Sequence, residues 1–179
     1  MFITSCSANP PSRSSKYPSL NPILAEDTTI LRFDLKEKPS QSIIASTYYA
    51  HRPSHVFIKP TQRMRLISKS FPWTIDIDSN APITVGDVWD AMHVALQQHI
   101  VESEWGFICR DEKLKKTVEN AMKARIASDP MADKRPKRID LLGDATLFRG
   151  LEKDDDYTKA MLLPTAKAWS ETWVIKLIA

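Results

Sequence analysis

Glycine and cysteine are both scarce in this chain, with four and two respectively among 179 residues. No G-x-G-x-x-G, P-loop or G-x-S-x-G pattern occurs, which argues against loops that wrap backbone N–H groups around phosphate and against a nucleophile elbow. Cys6 and Cys109 are too few for a disulfide framework, and neither stands at zinc-ligand spacing from other cysteines or histidines. No apolar run approaches the roughly 20 residues that a bilayer-spanning helix needs. The N-terminal stretch MFITSCSANPPSRSSKYPSLNP lacks the basic start and apolar centre of a secretory signal. Pro10, Pro11, Pro18 and Pro22 also break the amphipathic helix of a mitochondrial presequence. Charge of one sign is missing as well: 25 basic against 22 acidic residues leave a formal net charge of +3, short of the strongly basic face of a dedicated nucleic-acid binder. These deficits predict a cytoplasmic or nuclear protein that is not secreted, with no metal, no cofactor and no membrane association, and with nucleic acid disfavoured as a partner.

What is present has clear organisation. Residues 1–22, rich in Ser and Pro, read as a disordered tail, and 23–179 as a single domain. In Thr29–Lys36, Leu31, Phe33 and Leu35 alternate with charged residues, the period of a half-buried strand, which Pro39 then ends. Val56–Ile58 and Met64–Lys69 are weaker strand candidates. Trp73, Ile75 and Ile77 alternate cleanly before the turn residues Asp78-Ser79-Asn80. A first helix is predicted from Thr84, with Asp87 three residues on as its capping partner and Val85, Val88, Met92, Ala95, Leu96 and Ile100 as its apolar stripe. A second helix is predicted from Ser103 to Ser128, with Phe107, Leu114, Val118, Met122 and Ile126 inward, followed by an exposed linker over 129–138. Arg138–Leu142 and Thr146–Leu151 read as a hairpin about Gly143-Asp144, with Gly150 a bulge and Glu152–Asp156 a solvated acidic loop. Glu171–Ile178 reads as a closing strand. Strands, two adjacent helices and strands again predict an α+β fold, a mostly antiparallel sheet with the helices packed on one face.

Residues able to carry chemistry are few and scattered. His51 and His55 make an H-x3-H pair, but Pro53 between them forbids the helix that would aim both at one metal. Asp76 and Asp78 share a strand face opposite the apolar one and are expected to meet water. The run Lys134-Arg135-Pro136-Lys137-Arg138 suits a solvated loop or a nuclear localisation signal. Of five tryptophans, Trp73 and Trp173 belong to strand cores. Trp89, beside the main helix stripe, and Trp169, after an irregular segment, are the candidates for a pocket or interface.

The pieces LNPIL (Leu20–Leu24), LRFDLKEKP (Leu31–Pro39), FPWTIDI (Phe71–Ile77), ITVGDVWDAM (Ile83–Met92), RIDLLGDATLFRGLE (Arg138–Glu152) and WVIKL (Trp173–Leu177), in this order, resemble a domain of unknown function abundant in mushroom-forming fungi. That resemblance spans roughly residues 20–179 and implies no catalytic residue, because the family has no assigned activity.

Two functional readings follow. The first is a non-catalytic domain that binds a protein partner. The second is a small-molecule-binding protein or small enzyme, with an apolar pocket lined by Trp89 and Trp169 and closed by the loops 40–63 and 152–168. In that pocket His51, His55 or His93 would work with an aspartate.

Overall fold

The computed structural model describes residues 13–129, 131–161, 169 and 171–179. Its strands are β1 (Arg63–Ser68), β2 (Ile75–Asp78), β3 (Leu147–Glu152) and β4 (Thr172–Ile178), and its helices α1 (Pro39–Ser42), α2 (Ala45–His51), α3 (Val85–Gln97), α4 (Glu102–Ile108), α5 (Glu112–Ser128) and α6 (Asp155–Met161). The four strands form one sheet in the order β2-β1-β4-β3. β1–β2 and β3–β4 pair antiparallel, whereas β1–β4 is parallel. The fold is therefore α+β with a mixed sheet, and the C-terminal strand occupies its middle.

The period-2 strands form where alternation buries one face. Met64, Leu66, Ile75, Ile77, Trp173 and Ile175 join the core, while Arg63 and Arg65 face Asp78 and Asp76 across the β1–β2 ladder. α3 begins as its sequence predicts. The Asp87 N–H donates to the Thr84 hydroxyl (3.2 Å), and the Thr84 N–H donates to the Asp87 carboxylate (2.8 Å). It buries Val85, Val88, Trp89, Met92 and Leu96, each worth about 1.5–3 kcal/mol of transfer free energy.

Several expectations need correcting. The stretch 29–36 keeps its alternating burial but is not a regular strand, since it meets β3 only through the Asp34–Leu147 bridge and neighbouring backbone bonds. Pro39 does not simply stop a strand; it is the first residue of α1, where its missing N–H costs nothing. Val56–Ile58 forms a single bridge, Leu20–Phe57, in place of a strand. The helix predicted over 103–128 is two helices, because the Asp111 carboxylate caps α5 by accepting from the Lys113 and Leu114 N–H groups (2.9 and 3.1 Å). Arg138–Leu142 is a 3-10 helix, buried at Ile139, Asp140, Leu141 and Leu142. β3 consequently pairs with β4 and has no hairpin partner before it.

Gly150 does mark a bulge: the β3–β4 register shifts between Phe148 and Gly150. Its φ of 114° and the Glu26 Cα, 2.5 Å from where a Cβ would stand, both require glycine. The tail predicted over 1–22 falls partly outside the described residues, at 1–12. From Arg13 onward selected residues of the segment pack against the domain. Ser14 and Leu20 are buried, and Tyr17 meets the Trp173 ring edge-on at 5.4 Å.

Candidate functional site

Of the five residues singled out by sequence, Trp89 and His93 stand one turn apart on α3, and His51 closes α2 four residues before His55. Trp89 is fully buried and stacks on Tyr48 with ring centroids 6.0 Å apart. The buried stripe of α3 is wider than its spacing suggests, because α2 stacks Tyr48 on Trp89. Its indole N–H has no acceptor among the described residues. Trp169 is half-buried, 4.6 and 4.8 Å from the guanidinium groups of Arg63 and Arg65. His93 is half-buried, with Nδ1 3.2 Å from the Leu35 carbonyl. His51 ends α2 half-buried, and His55 is exposed and bridges to Thr84. No group of three or more His, Cys, Asp or Glu residues suited to a metal forms among the described residues. The loop 40–63, one wall of the pocket reading, is largely α1 and α2 at its start. Part of the other wall, 162–168, lies outside the described residues.

Asp76 and Asp78 meet partners as well as water. Arg65 donates to Asp76 through two nitrogens at 2.6 and 2.7 Å, and Arg63 pairs with Asp78 at 3.0 Å. The basic run is partly spent inside the fold. Arg135 binds Asp133, Lys137 binds Gln97, and Arg138 binds Gln98 and Glu104.

A cleft of about 720 Å3 lies between α5, the 3-10 helix and residues 36–37. Its central charges are already engaged. Arg125 donates to both Asp140 oxygens (3.0 and 2.8 Å) and to the carbonyls of Asp133 (2.6 Å) and Arg135 (3.0 Å). Asp140 also accepts from the Lys137 N–H at 2.8 Å. This pair of a half-buried Arg125 and a buried Asp140 ties the end of α5 to the following loop, and removing Arg125 would leave the buried carboxylate stranded.

The surface around α4 differs. Glu102 and Glu104 sit in the first turn of α4, where carboxylates favour the helix dipole. Glu104 Oε2 accepts from the Val101 N–H at 3.1 Å, and Oε1 accepts from the Trp73 indole and from Arg138, each at 2.6 Å. Burial raises the Glu104 pKa, but the Arg138 guanidinium and these N–H donors outweigh it and hold the carboxyl below its ordinary value. The Arg138 guanidinium lies 4.8 Å from the Trp73 ring, stiffening this support.

On that base α4 stands as a ridge between two grooves. The first, about 510 Å3, includes Ile100, Trp105, Val118, Met122 and Pro136. The second, about 310 Å3, includes Pro72, Trp73, Phe107 and Ile108. Val101 and Phe107 are 53% and 59% exposed beside them. Gly106 lines the first groove, and a Cβ there would meet nothing within 4 Å. A single helix continued through Asp111 would turn Phe107 inward; the break between α4 and α5 leaves it outward. The signal that would have separated them is Asp111-Glu112 ahead of Leu114, an N-cap pattern.

The model of a family of unknown function, DUF6699, matches residues 31–157, and the chain belongs to this family. No curated protein and no solved structure matches.

Proposed function

We propose that this domain is a non-catalytic protein-interaction module whose contact surface is the α4 ridge with its two grooves. One observation carries the reading: Phe107 and Val101 stand exposed between apolar grooves floored by Trp73, Trp105 and Met122. Aromatic residues and Met gathered with shallow apolar depressions are the composition of interface centres. Single exposed apolar residues elsewhere, such as Ile30 or Met131, need no such explanation. In the same reading the domain works in the cytoplasm or nucleus of a mushroom-forming fungus, supported by the six family-like segments and by the low cysteine content.

A photo-crosslinking residue placed at 107 tests this in cells, with one at Ile30 as the control for general stickiness. A discrete protein adduct from position 107 and none from position 30 is expected. Equal adducts from both positions, or none from 107, would contradict the reading.

A second reading rests on the 720 Å3 cleft, whose volume lies in the range of small-molecule pockets. It would be favoured by a polar metabolite that raises the melting temperature of the wild type but not of Asn120→Leu, a change at the cleft wall.

A further inference from the structure

Glu102, Gly106 and Arg110 follow one another at intervals of four residues along α4 and the turn after it, and all three are exposed. Glu102 and Gly106, so spaced, lie in one row on the helix surface, and Arg110 follows on the turn two residues past the end of α4. The row carries an acid at one end, a base at the other and, midway, a residue with open space where its side chain would be. Among the described residues neither Glu102 nor Arg110 is in an ion pair. Such a row is complementary to its own reverse. Two copies related by a two-fold axis beside Gly106 would set Glu102 of each against Arg110 of the other, while the glycines let the ridges approach closely.

We infer that the occupant of the α4 surface is a second copy of this chain, bound antiparallel through Glu102, Gly106 and Arg110. The inference rests on the interaction reading above and adds the partner's identity. A partner with charge of one sign would satisfy one end of the row and oppose the other, whereas a second copy satisfies both. The two-fold also keeps equivalent flanks together. Phe107 of each copy falls at the same end of the axis, facing the Pro72–Trp73 groove of the other, and Trp105 lies at the opposite end in both. α4 has seven residues, a ridge about 10 Å long, so the dimer is expected to be reversible.

Sedimentation velocity of the full chain over a concentration series tests the proposal. The mass should rise from one chain towards two. Glu102→Arg and Arg110→Glu each create two like-charge contacts across the axis and should weaken association about tenfold. Mixing these two single variants should restore it as a heterodimer, since every contact again joins opposite charges. The double variant should recover it as a homodimer. Neither side chain is buried, so all variants should stay folded, with Glu102→Arg melting slightly lower for the lost first-turn carboxylate.

A mass of one chain at every concentration overturns the inference, and so does association that both reversals leave unchanged. An apolar fluorescent dye separates this failure from that of the contact surface. A monomeric wild type that binds the dye, with binding lost in Phe107→Glu, keeps the surface and overturns only its occupant. A monomer that binds no dye overturns both.

Discussion

The indole N–H of Trp73 donates to Glu104 Oε1 at 2.6 Å, tying the chain just before β2 to the first turn of α4. Arg138, arriving from the 3-10 helix, shares that oxygen. Three segments distant in sequence thus converge on one carboxylate, which holds the α4 ridge in place.

Glu104→Gln should therefore cost about 1–2 kcal/mol near neutral pH, the scale of hydrogen bonds to a charged group. The folded-state pKa of Glu104 is depressed. Its contribution is present in full above the unfolded carboxylate value of about 4.3 and fades as the pH falls through the folded value. Urea denaturation of wild type and variant should show a gap at neutral pH that closes in acid. A gap that persists undiminished in acid would contradict this role.

Two glycines should respond oppositely to alanine. Gly150→Ala meets the Glu26 backbone at a φ of 114° and should lose about 2–4 kcal/mol through strain and displaced backbone. Gly106→Ala lies in a helix with open space around it and should gain about 0.5–1 kcal/mol. Denaturation midpoints at unchanged m-value would report both. A neutral Gly150→Ala would mean that the close approach of β3 to Glu26 is misplaced.

Trp89 should behave as core and not as a ligand contact. Trp89→Ala is expected to cost about 3–5 kcal/mol. Trp89→Phe should cost far less, about 1–2 kcal/mol, because the indole N–H has no acceptor to lose. Equal losses for the two variants would point to a hydrogen bond made by that N–H.

The Arg65–Asp76 pair should matter little. Asp76 is 38% exposed in its side chain, and Asp76→Asn is expected to shift stability by no more than about 1 kcal/mol, and by less at high salt. Thermal melts at two ionic strengths would check this. A large, salt-insensitive loss would contradict it.

Sequence patterns were most legible where one local rule decided the outcome. Thr84 and Asp87 announce α3 through their own spacing, and Ile75 and Ile77 announce β2 through alternation, whereas Trp73, expected in the strand core, stands half-buried just before the strand. Legibility failed where two structures satisfy the same pattern. Arg138–Leu142 followed by glycine suits a hairpin strand or a 3-10 turn, and only burial on several sides selects the latter. The parallel insertion of β4 between β1 and β3 is set by tertiary packing that no local spacing encodes. One junction hides the α4 surface in the sequence: as helix interior Asp111 would aim Phe107 inward, whereas as the N-cap of α5 it leaves Phe107 exposed.

Covalent footprinting with an apolar photoreactive reagent would test the contact surface most directly, comparing the purified domain at low concentration with the same domain in cell extract. The α4 account predicts strong labelling at Val101, Trp105 and Phe107 in dilute solution and selective protection of these residues in extract, with Ile30 unchanged. Undiminished labelling of α4 in extract, with protection appearing at another surface, would contradict it.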